Sequence, residues 1–293
     1  MIRALLYVGF AVESIDCTDR VFRDIFGLQS QRMEPDAFLG TDKGARIAFP
    51  NQCWLYLMES HQPESSISKH VREKGPGLER IALLTDDIEA DVKCLRRNDI
   101  QPKHNELAST PTGRRFAVPP QYVSGVTVEL VEPNRGNWIF DVASNISGIL
   151  GLQHIGVAVK DIEASCSTFE QLFGLSPRDI RADQHGGNQR DACIFPGNEC
   201  LWLHVTQNWG PGERVNMFLQ QKGEGLEHLC LEVFDIREAV RRVTSAGIPV
   251  FDNRIFTNRP DGFEAFVCPE YTTGVTVELI EPYPTSRGYR PRK

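Results

Sequence analysis

The sequence lacks several signatures that would assign it to a common protein class. No apolar run approaches the roughly 20 residues that a membrane-spanning helix requires. None of the eight cysteines belongs to a Cys-x-x-Cys pair, and they fall within apolar strand or helix patterns, which favours core residues over a disulfide framework. The formal net charge is −7, which gives no general attraction to nucleic acid or to an anionic membrane. We therefore expect a cytoplasmic protein that binds neither.

Common nucleotide-binding and hydrolase motifs are also missing. The segment GPGER at residues 210–214 lacks the Gly-rich phosphate-loop pattern, and no Walker sequence or nucleophile elbow occurs. Hydrophobic residues make up 41% and charged residues 24%, which is typical of globular proteins. A chain of 293 residues is long enough for two domains of ordinary size.

The chain contains an internal repeat of nearly half its length. The segment Leu5–Leu28 aligns without gaps on Leu152–Leu175, and GVTVELVEP at Gly125–Pro133 aligns on GVTVELIEP at Gly274–Pro282. The order of the matched segments is the same in both copies, which predicts two tandem domains of one ancestry. We place these domains at residues 1–145 and 146–293.

Each domain is itself expected to consist of two similar half-units. The run HIGVAV predicts a strand, and Asp161 then precedes apolar residues at helical spacing that end at Gly174, so these two residues are candidate caps. Short strand-like runs follow, and the second half-unit repeats the order after Gly225. The pattern predicts an α+β fold of four βαβββ modules, paired into two domains.

Three residues of the second copy stand out as candidate metal ligands. His154 and His228 open predicted strands, and Glu278 lies within a strand between Val277 and Leu279, where an ionised carboxylate is rarely found unpaired. Two imidazoles and one carboxylate suit a divalent transition metal with open coordination positions.

The first copy carries a different set of side chains at the same three positions. Tyr7 matches His154, Arg80 matches His228, and only the acid is shared, because Glu129 matches Glu278. Tyrosine, arginine and glutamate do not suit a transition metal. We expect Arg80 to lie near the lost metal position and to pair with Glu129, which would otherwise be an uncompensated buried charge.

The repeated segments resemble the vicinal oxygen chelate superfamily, which includes glyoxalase I, methylmalonyl-CoA epimerase, bleomycin-resistance proteins and extradiol dioxygenases. Within it, the second copy looks most like methylmalonyl-CoA epimerase. The resemblance implies metal ligands at His154, His228 and Glu278, and a fourth from NECLWLHVT, where Trp202 stands in place of the family's glutamine or glutamate. Either His204, two residues later, substitutes as the fourth ligand, or the metal has three protein ligands and more water. Trp202 and His185 are candidate substrate-binding residues.

The resemblance implies an enzyme with one divalent ion, which the sequence does not narrow beyond zinc, cobalt, nickel, manganese or iron. The favoured function is isomerase, epimerase or lyase chemistry on a bidentate carbonyl or acyl-CoA substrate, with an enediolate intermediate and Glu278 as ligand and base. An Fe(II) extradiol-type ring-cleaving dioxygenase and a non-catalytic small-molecule binding protein are the alternatives. The partner is then a small-molecule substrate, and a homodimer is possible.

Overall fold

A computed structural model describes residues 1–50, 53–100, 107–134, 148–182, 188–197, 201–259 and 261–286. His185, one of the predicted substrate-binding residues, lies outside the described residues, as does the predicted domain boundary at residue 145. The division into domains 1–145 and 146–293 therefore stays a prediction.

The described residues form an α+β fold of fifteen strands and six α-helices. The strands are β1 (Ile2–Ala11), β2 (Gln31–Met33), β3 (Lys43–Ala48), β4 (Trp54–Glu59), β5 (Gly77–Thr85), β6 (Ala108–Thr110), β7 (Gly113–Val118), β8 (Thr127–Pro133), β9 (Ile149–Ala158), β10 (Pro177–Ala182), β11 (Gln189–Ile194), β12 (Trp202–Asn208), β13 (Gly225–Val233), β14 (Gly262–Val267) and β15 (Thr276–Pro282). The helices are α1 (Ile15–Phe26), α2 (Ser66–Lys74), α3 (Ile88–Arg97), α4 (Ile162–Phe173), α5 (Arg214–Lys222) and α6 (Ile236–Ser245). None of these helices is long and apolar enough to cross a membrane.

The strands form two mixed sheets, one for each copy of the repeat. The eight-stranded sheet has the order β2-β3-β4-β1-β5-β8-β7-β6, and the seven-stranded sheet has the order β10-β11-β12-β9-β13-β15-β14. Equivalent strands pair in parallel in the two sheets: β5 with β8 in the first, and β13 with β15 in the second. The predicted α+β class and the two glyoxalase-like domains are confirmed.

The four predicted modules are recognisable, with one difference. Three of them show the expected order of a strand, a helix and three strands. In the last module the described residues after α6 form only β14 and β15, and an isolated bridge between Phe256 and Glu264 occupies the place of the remaining strand. The segment that leads to this bridge contains Asp252 and Asn253, which both have a positive φ, so the backbone turns where a regular strand would begin.

The helix boundaries follow from local chemistry that the two copies share. Ser14 accepts a hydrogen bond from Cys17 N at the start of α1, and Asp161 accepts one from Ala164 N at the start of α4. Gly27 and Gly174 end these helices with φ of 69° and 67°, in the left-handed region that glycine adopts without a steric cost. The predicted caps at Asp161 and Gly174 are therefore present.

The chain also divides into two compact units that differ from the two copies of the repeat. The first unit contains Met1–Val8, Glu79–Phe140 and Ile155–Glu227, and the second contains Gly9–Leu78, Asp141–His154 and His228–Lys293. Each unit thus combines segments of both copies. The three residues predicted to hold a metal, His154, His228 and Glu278, all belong to the second unit.

Candidate functional site

The three predicted metal ligands converge in the second unit on neighbouring strands. The Nε2 atoms of His154 and His228 are 3.1 Å apart, and Glu278 Oε2 lies 3.4 Å from the first and 3.2 Å from the second. All three side chains are buried. The prediction that the histidines open their strands was wrong: His154 lies in the middle of β9, which already begins at the apolar Ile149, and His228 lies within β13.

The spacing of the three donor atoms fits a single transition metal ion. Nitrogen and oxygen ligands lie about 2.0–2.2 Å from such an ion, so ligand atoms at ordinary coordination angles are about 3.0–3.5 Å from one another. The three observed separations fall in this range. Two imidazoles and one carboxylate are also the donor types that zinc, iron and related ions accept.

Glu278 is held as a carboxylate despite its burial. Burial by itself would raise its pKa, but the charges of His154 and His228 and hydrogen bonds from both rings outweigh this effect, so the pKa lies well below its usual range. Among the described residues, the ionic partners of Glu278 are these two histidines. The cluster therefore presents an ionised oxygen ligand at neutral pH.

Two further residues of the second unit lie at this cluster, and sequence reasoning missed their role. Gln153 Oε1 is 3.1 Å from His154 Nδ1 and 3.8 Å from the Sγ atom of Cys230. The thiol belongs to the cluster itself, because ligand atoms of His154, Cys230 and Glu278 all lie within 4.8 Å of one another. Burial raises the pKa of the Cys230 thiol well above its usual value, and the charge of Glu278 adds to the effect, so Cys230 stays protonated.

The matching residues of the first copy form a closed hydrogen-bonded network in the first unit. Tyr7 Oη donates to Glu129 Oε2 at 2.5 Å, and Arg80 Nη1 lies 3.6 Å from the same oxygen. The ion pair expected between Arg80 and Glu129 is therefore present, although Arg80 bonds more closely to Glu79, at 2.5 Å. All of these side chains are buried.

The nearest cation to Glu129 is Arg115, which the sequence analysis did not identify. Arg115 Nε donates to Glu129 Oε1 at 2.5 Å, and Arg115 Nη2 donates to Tyr7 Oη at 3.1 Å. Alignment of the two copies could have indicated its role, because Arg115 in GRRFAV matches an acidic residue, Glu264 in GFEAFV. This strand position is thus basic in the first copy, where Glu129 has no histidines beside it, and acidic in the second copy, where His154 and His228 contact Glu278.

Two of the remaining predicted site residues lie on β12. His204 lies on β12 in the first unit, where its Nε2 is 3.1 Å from Asp191 Oδ2. Trp202 is the first residue of β12, is buried, and packs against Phe195 with ring centroids 5.7 Å apart. A metal-binding role for His204 and substrate-binding roles for Trp202 and His185 stay predictions.

Comparisons with known proteins agree with this architecture. The family model of the Glyoxalase/Bleomycin resistance protein/Dioxygenase superfamily matches residues 153–266. Methylmalonyl-CoA epimerase of Dictyostelium discoideum is 26% identical over 142 residues, which cover 47% of this chain and 83% of that protein. Ethylmalonyl-CoA/methylmalonyl-CoA epimerase of Cereibacter sphaeroides is 30% identical over 103 residues, covering 34% of this chain and 72% of that protein.

A solved structure is similar over the whole length of the chain. A mutant of 4-hydroxymandelate synthase from Streptomyces coelicolor aligns with a TM-score of 0.71 at 16% identity and covers 100% of this chain and 95% of its own. At this level of identity the likeness concerns the fold alone. It supports the arrangement of two glyoxalase-like domains in one polypeptide.

Proposed function

Because the chain belongs to the glyoxalase/bleomycin resistance/dioxygenase superfamily, we propose that it is a metal-dependent enzyme whose His154, His228 and Glu278 bind one divalent ion. The observation that carries the proposal is the convergence of these three donor atoms within 3.4 Å of one another. The ion is zinc, cobalt, nickel, manganese or iron, since all of these accept imidazole and carboxylate ligands.

The reaction that we propose is proton transfer next to a carbonyl group. A divalent ion in this position supplies Lewis-acid chemistry that makes a carbon between two substrate oxygens more acidic. A bidentate carbonyl compound or an acyl-CoA thioester is the corresponding substrate class, and the two similar epimerases act on acyl-CoA compounds. Isomerase, epimerase and lyase reactions all need such a step.

The chain's own residues contribute a buried, ionised acid to this step. Glu278 remains a carboxylate among buried residues, and it is the residue that we assign as both ligand and base. Trp202 stands where the resembled epimerases place a glutamine or glutamate, so the proposal extends to the class of reaction and not to a particular acyl-CoA.

A second candidate function, an Fe(II)-dependent dioxygenase, is favoured by the donor set itself. Two histidines and one carboxylate form the facial triad that non-haem Fe(II) oxygenases use, with positions open for substrate and oxygen.

The metal content and two activity assays test the proposal. We expect the purified protein to bind one equivalent of Zn(II), Co(II), Ni(II) or Mn(II), and the variants His228→Ala and Glu278→Gln to lose this binding while remaining folded. Metal-dependent exchange of deuterium into an acyl-CoA thioester supports proton transfer, whereas tightly bound Fe(II) with oxygen uptake supports the dioxygenase. A wild-type protein that binds none of these ions refutes the metal-dependent enzyme and leaves a small-molecule binding protein.

A further inference from the structure

The buried amide of Gln153 is a feature that the proposed reaction does not use. Its side chain is 1% exposed on β9, in the middle of the sheet of the second copy. A buried amide costs free energy unless its polar atoms are bonded, and the Nε2 atom of Gln153 has no hydrogen-bond partner among the described residues. An apolar side chain would be less costly at this position, so the retained amide needs an explanation.

Comparison of the two copies shows where the amide is needed. Gln153 and His154 match Leu6 and Tyr7 in the first copy, which has no histidine at the position. Leu6 is buried at the equivalent place. The polar side chain thus occurs in the copy that has the imidazole, and the sheet accepts leucine in the copy that does not.

The geometry explains this association through the proton on the His154 ring. Gln153 Oε1 lies 3.1 Å from His154 Nδ1, while His154 Nε2 points at His228 Nε2 and Glu278 Oε2. An amide oxygen only accepts hydrogen bonds, so it favours the tautomer with the proton on Nδ1. With a metal bound, Nε2 then offers its lone pair to the ion. Without one, Nε2 can carry a second proton toward Glu278 Oε2, and the bond from Nδ1–H to Gln153 is the same in both states.

The same oxygen also lies 3.8 Å from the thiol of Cys230. A carbonyl oxygen has two lone pairs, so it can accept from His154 Nδ1–H and from the Cys230 S–H at the same time. Both donors come from residues whose ligand atoms belong to the cluster around Glu278.

We infer that Gln153 is a positioning residue, which orients His154 and holds a proton on its Nδ1 atom, so that Nε2 is the nitrogen that binds the metal. The inference rests on the proposed metal site, but its first consequence, a proton held on His154 Nδ1, exists without any metal. Partners of this kind on the distal nitrogen of a histidine ligand typically change metal affinity by roughly 10- to 100-fold when they are removed.

The first test is an NMR measurement of the histidine tautomer in the metal-free protein. With ¹⁵N-labelled histidine at about pH 8.5, above the pKa of an ordinary imidazole, we expect a proton on His154 Nδ1, with or without a second one on Nε2, and a slowly exchanging Nδ1–H resonance. The signal is assigned by its loss in His154→Asn. In Gln153→Leu, which copies Leu6 of the first repeat, the Nδ1–H resonance should exchange faster and the Nε2–H tautomer should appear.

The second test is the affinity for Zn(II), measured by competition with a chelator. We expect Gln153→Leu to bind roughly 10- to 100-fold more weakly than the wild type. Gln153→Glu keeps an acceptor oxygen and should retain both the Nδ1–H tautomer and most of the affinity. Val233→Ala, at the buried end of β13, is the control for a loss of stability that removes no acceptor, and its affinity should be unchanged.

The outcomes separate this inference from the proposed function. A wild-type His154 without a proton on Nδ1, or a Gln153→Leu protein with unchanged Nδ1–H exchange and unchanged affinity, overturns the role of Gln153. If Gln153→Leu does not fold, the wild-type tautomer and the Gln153→Glu protein still decide the question. If no protein binds metal while the tautomer is as expected, the metal proposal fails and the orienting contact stands.

Discussion

At the scale of single residues, the charge at one strand position is reversed between the two copies. Arg115 and its counterpart Glu264 occupy the same place in aligned strands and carry opposite charges. Arg115 places a guanidinium 2.5 Å from Glu129, whereas the ionic partners of Glu278 among the described residues are two histidines. A fixed cation therefore compensates the buried acid in the first copy, and in the second copy the metal ion that we propose would provide the same compensation.

Removal of Arg115 should be strongly destabilising. Arg115→Met leaves the fully buried Glu129 carboxylate without its closest cation, and breaking a buried pair in this way typically costs about 3–5 kcal/mol. Urea denaturation measures the change. Arg241→Ala, which breaks an exposed pair with Glu238, should cost at most about 1 kcal/mol. Equal effects of the two variants would contradict the role assigned to Arg115.

Tyr7 should make the stability of the protein sensitive to alkali. Burial raises the pKa of Tyr7 well above its usual value, and the charge of Glu129 adds to this, while Arg115 and Arg80 act in the opposite direction. Below pH 10 the phenol is protonated in both the folded and the unfolded states. Above pH 10 only the unfolded state loses the proton, so the free energy of unfolding falls as the pH rises.

Comparison with Tyr7→Phe isolates this contribution. Between pH 10 and 11 the wild type should lose up to about 1.4 kcal/mol more stability per pH unit than the variant, because one additional group is linked to unfolding. Urea denaturation at about pH 9, 10 and 11 gives both curves, and effects of the other titrating groups cancel in the difference. Parallel curves would show that Tyr7 titrates normally in the folded protein.

At the scale of secondary-structure elements, the last strand of each copy is preceded by a glycine that the backbone requires. Gly125 has φ of 77°, and a Cβ atom there would lie 2.0 Å from the carbonyl oxygen of Glu224. Gly274 has φ of 104°, and its Cβ would lie 2.2 Å from the carbonyl oxygen of Pro76. In each compact unit a turn of one copy thus touches a loop of the other.

Alanine at these two glycines should be far more costly than alanine at an ordinary helix terminus. Gly174→Ala strains only the backbone, because a Cβ there has open space, and we expect a loss of about 1–2 kcal/mol. Gly125→Ala and Gly274→Ala add an overlap with a carbonyl oxygen, so their losses should be clearly larger. Urea denaturation of the three variants gives the order, and a result with Gly174→Ala as the most destabilised would refute the close approach.

At the scale of the whole molecule, the repeats and the compact units divide the chain differently. Each unit takes segments of both copies, and contacts within the units join them, such as the one between α1 and α6 in the second unit. In the first unit α3 packs on α4, and Ser124 and Ser165 are hydrogen-bonded at 2.8 Å. The stability of each unit therefore depends on both halves of the sequence.

Separation of the two predicted domains should reveal this dependence. We expect fragments 1–145 and 146–293 to unfold at lower temperature and less cooperatively alone than in the intact chain, because each exposes surface that the other buries. Co-expression of the two should restore a complex with a transition near that of the whole protein. Calorimetry and gel filtration measure both properties. A fragment 146–293 that is as stable alone as in the intact chain would instead show that the second copy folds independently.

The sequence by itself determined the elements and the candidate ligands. Helix caps such as Asp161 and Gly174 depend on a few neighbouring residues, and the internal repeat made His154, His228 and Glu278 visible as departures from Tyr7 and Arg80. The polar character of these positions within apolar strands was also local information. Such features need no knowledge of which strands are neighbours.

The tertiary structure alone decided which distant side chains meet. Alternation along a strand predicts the face on which a residue lies, but strand order and register determine its partner. Arg115 reaches Glu129 because β7 pairs with β8, and Cys230 lies opposite Glu278 because β13 pairs in parallel with β15. Gln153 was overlooked for the same reason: its contacts to His154 and Cys230 depend on how adjacent strands place two side chains around one oxygen atom.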